Sequence, residues 1–368
     1  MEGNLSELRG RHANLHLSLY ADDAALFLNP HKEEVELVLH IMQRFGDATG
    51  LKINVAKSSV AAIRCADINL DEILPSFTGQ RINFPLSYLG LPLTLGRLKL
   101  VHLQPTLDKI KVRLAGWQGK LLTAGGRREL VRSVLSSMPI YMLTALKVPK
   151  KFIKELDKSC RRFLWAGNQD FHGGKCKLNW SKTCLPTKLG GLGILDLERF
   201  GRALRLRWLW YQWMTPEKPW SGADLPVDDT DRTLFAAATR VQVYNGEKAL
   251  FWNSSWLNGM APDATLFPLL YRHTIRKNRT VAAALAGNRW IKDICHDLTP
   301  DLLTEFFALW AQIEAQHLCL EDPRDDQLWW KPTASGIYTA KSAYDLQFEG
   351  TNSKIACCCS HLEVLGTD

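Results

Sequence analysis

Apolar and polar positions alternate from Leu15 to Tyr20, with Leu15, Leu17 and Leu19 set against His16, Ser18 and Tyr20. This period of two predicts a β-strand with one buried face. Ala24 to Leu28 is a second apolar run of strand length. Joined through Ala21-Asp22-Asp23, the two runs predict a hairpin that carries two adjacent carboxylates at its tip. Val35, Val38, Met42 and Phe45 then share one face of a helix that Gly50 can end in the left-handed conformation. A second strand-like segment is expected from Leu51 to Ser59.

Beyond Gly96 the period becomes helical. Leu107, Ile110, Leu114, Trp117 and Leu121 mark one helix, with Lys109, Lys111, Arg113 and Lys120 among the remaining positions. Leu130, Val131, Val134 and Leu135 suggest a second. Ile153, Leu156, Cys160 and Phe163 suggest a third, flanked by Lys150, Lys151, Lys154, Lys158, Arg161 and Arg162. The stripes read as core and the basic faces carry the information. The acidic, turn-rich stretch 221–245 reads as a linker. The pattern as a whole predicts an α+β chain.

Composition narrows the function classes. At 368 residues and 46% hydrophobic, the chain has room for two or three domains with real cores. No apolar signal segment opens it. The longest uncharged stretch, Ser133 to Leu146, is too short to span a membrane and is interrupted by Pro139. Its nine cysteines show no paired spacing that would suggest a secreted disulfide framework. The expectation is an intracellular protein, nuclear or cytoplasmic, without a membrane partner. Charge is unevenly placed: residues 97–220 hold 25 Lys and Arg against 8 Asp and Glu, whereas residues 1–96 hold 8 against 11 and residues 221–368 hold 13 against 19. The basic surplus therefore lies in one segment, and phosphate backbones attract such clusters.

Two carboxylates at a rigid tip suit hard divalent cations such as Mg²⁺. A metal pair roughly 4 Å apart can activate an attacking hydroxyl and neutralise a leaving phosphate. The plainer alternative is an Asp-Asp step that closes a surface turn, since Asp bonds its own backbone there.

Tyr20-Ala21-Asp22-Asp23, the helix after it, and Gly50-Leu-Lys-Ile-Asn-Val-Ala-Lys57-Ser58 together resemble the palm of reverse transcriptases from LINE-type, non-LTR retrotransposons, particularly the plant elements. The resemblance implies that Asp22 is the main ligand for Mg²⁺ (or Mn²⁺), with Asp23 its neighbour. It also implies that Lys57 protonates the departing pyrophosphate, where a cation lowers the barrier by neutralising charge. Tyr88-Leu-Gly-Leu-Pro-Leu93 resembles the family's primer-gripping hairpin, which would bring Tyr88 and Gly90 to nucleic acid alongside Tyr20. A plain turn with Pro92 is the alternative there. Residues 97–166 take the place of the family's helical thumb. That role implies contact with an RNA template and DNA primer duplex through Lys109, Lys111, Arg113, Lys120, Arg127, Arg128, Arg161 and Arg162.

The likeness continues through 167–220, a basic-aromatic connection with Lys188-Leu-Gly-Gly-Leu-Gly193 and the run Arg202 to Trp213. The glycines do not follow dinucleotide-fold spacing, so no cofactor is read there. Trp208, Trp210 and Trp213 are candidates for stacking on bases or, for at least two of them, for core packing. Trp329-Trp-Lys-Pro and Gly336 to Tyr344 resemble the opening of the family's zinc-binding domain, so 246–368 reads as a truncated, incomplete version of it. Cys357-Cys-Cys359 and His361 lack the loop spacing of a structural zinc site, and zinc is not expected.

The family also needs an upstream aspartate and fingers, whereas residues 1–21 contain no Asp and only Glu2 and Glu7 as acids. Residues 1–96 therefore read as a partial palm. DNA synthesis by this chain alone is not expected, because one hairpin leaves a metal pair under-coordinated. Two classes stand: a retrotransposon-derived RNA-directed DNA polymerase fragment, and a non-catalytic nucleic-acid-binding module acting through the thumb-like helices.

Overall fold

A computed structural model of the chain describes residues 5–8, 16–65, 68–115, 119–167, 178–218, 220–221, 223–295 and 299–349. The fold is α+β, with helices dominating and the described strands joined in four two-stranded sheets. The chain divides into two compact units, Met1–Pro105 and Thr106–Asp368. No described helix is long and apolar enough to cross a membrane.

In the first unit, β1 (Leu17–Tyr20) and β2 (Asp23–Leu26) pair antiparallel, from Tyr20 opposite Asp23 to Leu17 opposite Leu26. The helix Lys32–Thr49 ends as its sequence predicts. Gly50 takes φ 76°, and its N–H donates to the Gly46 carbonyl at 2.8 Å. The strand expected from Leu51 to Ser59 is not one. Asn54 accepts from the Lys57 N–H and caps a single 3₁₀ turn, Val55–Lys57, because a local side-chain acceptor competes with ladder pairing. Here the chain pairs as a strand only at β3 (Ser59–Val60), parallel with β4 (Gln80–Arg81). A second hairpin joins β5 (Leu86–Tyr88) to β6 (Leu91–Leu93).

This unit has little interior. Among its described residues, Val38, Leu74 and Leu103 are the buried apolar side chains, and Leu17, Leu19, Ile41 and Phe45 are exposed. The alternation in β1 and the helical stripe through Phe45 thus set the local structure, but their apolar faces are not covered as expected. Leu15 and Trp117 lie outside the described residues.

The second unit buries far more, with one connected apolar cluster between Ala203 and Ala343 and further buried stripes before it. Leu107, Ile110 and Leu114 of the helix Gln104–Ala115 are buried, and so are Ile153, Leu156, Cys160 and Phe163 of Lys150–Ala166. Leu121, read as the end of the first stripe, is exposed and lies on a 3₁₀ turn, Gly119–Leu121. The helix Ala124–Leu130 continues into one π turn, Val131–Leu135, where the Ser136 N–H reaches the Val131 carbonyl five residues back. The Gly190 to Gly193 turn is built for packing: a Cβ on Gly191 would stand 2.0 Å from the Leu185 carbonyl oxygen.

The helix Leu197–Met214 is the hub. Arg205 makes a two-pronged pair with Asp231, at 2.8 and 3.1 Å, and Arg202 adds a third bond at 3.1 Å. Asp231 belongs to a helix, Asp229–Ala238, that opens with a reciprocal cap between Asp228 and Asp231. The linker expected over 221–245 is therefore corrected. The acids that make this stretch look solvated serve as a helix start and a buried counter-ion. After it, β7 (Thr239–Gln242) pairs antiparallel with β8 (Gln327–Trp330). The Asp326 carboxylate accepts from the N–H groups of Tyr244, Gly246, Lys248 and Ala249, fixing the loop behind β7.

Candidate active-site hairpin and nucleic-acid interface

Asp22 and Asp23 stand at the exposed tip of the β1–β2 hairpin. Its two-residue turn is Ala21-Asp22, and Ala21 is held at φ 54°, a left-handed value that costs a residue with a Cβ. Opposed residues of an antiparallel pair share a face, so Tyr20 and Asp23 lie on the side that carries Ser18 and Ala25. On that side the Ser18 Oγ and the Tyr88 hydroxyl are 3.3 Å apart, within hydrogen-bond reach. The hairpin bearing the aspartates and the hairpin bearing Tyr88 are thereby joined, although 70 residues separate the two partners in sequence. Tyr20, 65% exposed, presents its ring beside them.

Gly90 has a different use from close backbone approach. Leu89 and Gly90 both take positive φ, 51° and 77°, the conformation of a tight two-residue hairpin turn. A Cβ on Gly90 would meet nothing within 4 Å, so the dihedral angle is what requires glycine. Pro92 sits opposite Ser87 in the ladder. Lys57 is exposed on its 3₁₀ turn, and no hydrogen bond or ion pair joins it to Asp22 or Asp23 among the described residues.

Two carboxylates supply hard oxygen donors that can hold one hydrated Mg²⁺. Among the described residues no three His, Cys, Asp or Glu side chains gather as a metal site. Among the described residues the donor set thus falls short of a two-metal centre.

The predicted cationic residues of the second unit separate into two kinds. Lys109 and Arg113 are exposed on the helix Gln104–Ala115, and Lys111 lies 3.6 Å from Asp108. Lys151 and Lys154 are exposed on Lys150–Ala166, with Arg161 and Arg162 half-buried on the same helix. Lys150 pairs with Glu198 at 3.0 Å and Lys158 with Glu155 at 3.7 Å. Arg127 and Arg128 are half-buried and turned to the protein itself: Arg128 Nε donates to the Leu192 carbonyl at 2.8 Å, and Arg127 Nη1 to that of Gly119 at 3.4 Å. The side chain of Lys120 lies outside the described residues, as do Cys357 to Cys359 and His361.

The tryptophans pack. Trp208 Nε1 donates to the Thr144 carbonyl at 2.8 Å, Trp210 is buried against Tyr338, and Trp213 borders the core. Sequence reasoning passed over Arg207, which follows Arg199, Arg202 and Arg205 on the helix Leu197–Met214 and lines a cleft with Trp210 and Tyr211. The available signal was its spacing, i and i+4, with Tyr211 on a helix whose other arginines face acids.

No family model matches the chain. It is 25% identical over 265 residues to a protein of Arabidopsis thaliana named "Putative ribonuclease H protein", covering 65% of this chain and 42% of that protein. It is also 25% identical over 211 residues to the "Transposon TX1 uncharacterized 149 kDa protein" of Xenopus laevis, covering 55% of this chain and 15% of that protein. The chain therefore spans less than half the length of either curated relative.

Proposed function

We propose that the chain is a retrotransposon-related protein of reverse-transcriptase type, whose first unit carries the aspartate hairpin of a polymerase palm and whose second unit binds nucleic-acid phosphates. The observation that carries this reading is the contact between β1 and Tyr88, which brings the Tyr20-Ala-Asp-Asp23 hairpin and the Tyr88-Leu-Gly hairpin together. Similarity to a transposon protein supports the same ancestry. In a complete palm, Asp22 would hold Mg²⁺ or Mn²⁺ that neutralises charge on the incoming phosphates, with Asp23 beside it. With two carboxylates the described residues do not complete that centre, so polymerase chemistry is assigned by ancestry and not to this chain acting alone. What remains to the chain itself is binding of a template-primer duplex. Lys109, Arg113, Lys151, Lys154, Arg161 and Arg162 make no ion pair among the described residues, and such cations displace the counter-ions of a phosphate backbone.

The test has two arms. Primer extension on a primed RNA with Mg²⁺ or Mn²⁺ should give no product from this chain; extension that disappears in Asp22→Ala would show that the hairpin suffices. Binding of a labelled RNA–DNA duplex should weaken steeply between 50 and 200 mM salt, by roughly a factor of ten or more for several phosphate contacts. The double substitution Lys151→Glu with Lys154→Glu should flatten that slope. A salt-independent affinity removes the binding role.

A further inference from the structure

The helix Leu197–Met214 spends most of its positive charge inside the protein. Arg199 donates to the Gln347 carbonyl at 2.9 Å and lies 4.3 Å over the Phe348 ring, while Arg202 and Arg205 are held by Asp231. Arg207 is the exception: among the described residues it makes no hydrogen bond or ion pair. It lines a cleft of about 240 Å³ with Trp210, Tyr211, Ile337, Tyr338 and Thr339. Among the described lining residues there is no acid, and the one formal charge they carry is positive.

The walls are preformed. Tyr338 is buried, its hydroxyl donates to the Ala203 carbonyl, and its ring is stacked with Trp210 at 6.1 Å between centroids. Burial holds the Tyr338 phenol well above its ordinary pKa, with the nearby Arg207 charge pulling the other way. Trp330 closes on the far side of Tyr338 at 4.8 Å, edge to face. The Thr339 side chain is committed, accepting from the Ser342 N–H at 3.1 Å. Arg207, with the Tyr211 hydroxyl at the mouth, is therefore left to meet a ligand, and Arg207 is the charged one of the two. At the mouth, Tyr211 and Ile337 are 43% and 59% exposed, a ring and an apolar side chain facing solvent beside a cation.

We propose that this cleft binds one unpaired nucleotide of a single strand, with Arg207 on the phosphate and the base against Tyr211 and Ile337. An unsatisfied guanidinium selects an anion with paired oxygens, and phosphate matches its fork. The exposed ring and apolar lip select a flat, weakly polar group on the same ligand, as bases stacked on aromatic side chains do. The cleft is smaller than the roughly 300–1,000 Å³ of sites that bury most of a drug-sized ligand, so a nucleotide seated there keeps part of its surface in solvent, as a link of a longer strand does. A paired base has both faces covered by its neighbours and cannot use it. The choice of nucleotide over other aromatic phosphates rests on the nucleic-acid reading above.

Calorimetric titration of the full chain tests this with dAMP, deoxyadenosine and inorganic phosphate as probes, next to the RNA–DNA duplex. The wild type should bind dAMP, and deoxyadenosine and phosphate should each bind at least about tenfold more weakly, the usual worth of a charge-assisted hydrogen bond or a base stack. Arg207→Gln should lose at least about tenfold for dAMP, Arg207→Lys less, and Tyr211→Ala several-fold, with circular dichroism and duplex affinity unchanged in all three. Absence of dAMP binding to the folded wild type overturns the assignment, as does equal binding by Arg207→Gln or by inorganic phosphate. If dAMP fails while the duplex still binds with its salt slope, the cleft is wrong and the duplex reading stands. If dAMP binds while the duplex does not, the duplex reading fails and the cleft stands.

Discussion

The two units solve the burial problem differently. Among described residues, Met1–Pro105 buries three apolar side chains and leaves fourteen large ones exposed; Thr106–Asp368 buries more than forty and leaves nine exposed. In the second unit the tryptophans and phenylalanines form a connected set, with Phe251 against Trp252, Trp256 and Trp290, and Trp290 against Phe306 and Trp310. In the first, two-stranded sheets stand without a common interior, and such sheets are marginal by themselves in water. The aspartates are thus carried by the unit with the thinner core, whereas the thumb-like cations stand on helices whose apolar stripes are buried. Chemistry that needs sub-ångström positioning asks more of its scaffold than a phosphate grip, which tolerates movement.

The sharpest way to break this comparison is to remove a buried counter-ion from the second unit and an apolar ring from the first. Asp231→Ala leaves Arg205, 7% exposed, without its partner. Unpairing a buried charge costs about 3–5 kcal/mol, so the denaturation midpoint of the second unit should fall sharply. Phe45→Ala removes far more apolar surface, but from a side chain that is 56% exposed, and should stay within about 0.5 kcal/mol. Equal losses in the two variants would mean that the first unit has a core after all.

A second test uses pH. Burial, opposed by a hydrogen bond from Trp180 and reinforced by Asp196, pushes the Asp157 carboxyl up to about 7 from 3.8. The unfolded chain releases this proton near 3.8 while the folded chain keeps it until about 7. The contribution is therefore complete below the lower value, declines as pH rises between the two, and is flat above. Over roughly 3 pH units at about 1.4 kcal/mol each, the fall is at most about 4 kcal/mol. Asp157→Asn should remove the share of the decline that Asp157 contributes and gain stability at pH 8, read from urea unfolding at pH 4, 6 and 8. Unchanged pH dependence in the variant would place Asp157 in water. Burial likewise raises the carboxyl of Asp263, so some decline should persist in the variant.

These contrasts explain what could be read from the chain. Periodicity finds Lys150–Ala166 and its buried stripe because a 3.6-residue repeat is a local property, and Gly50 ends its helix for an equally local reason. The hairpin tip is legible for the same cause. Whether Leu17 and Leu19 are covered depends on what lies across space, and alternation is silent on that. Composition misplaces the acids at 228–231, since a counter-ion for Arg202 and Arg205 looks the same in sequence as a solvated linker. Arg207 is hidden by the reverse error: beside three committed arginines, the one turned to a cleft has no local mark.

The smallest effect is the most local. Ala21 holds φ 54° at the turn that presents Asp22, and a Cβ is disfavoured there by about 1–2 kcal/mol. Ala21→Gly relieves that cost but gives the unfolded chain more freedom, so the net gain should be about 0.5–1 kcal/mol, confined to the hairpin. Amide exchange at Tyr20 and Asp23 should slow by a few-fold while exchange in the helix Leu197–Met214 is unmoved. Faster exchange at the tip would mean that the methyl group of Ala21 holds the turn in place. Slower exchange in the helix of the second unit as well would mean that the two units share one cooperative transition, and the difference between a thin scaffold and a well-packed one would then not govern how either unit unfolds.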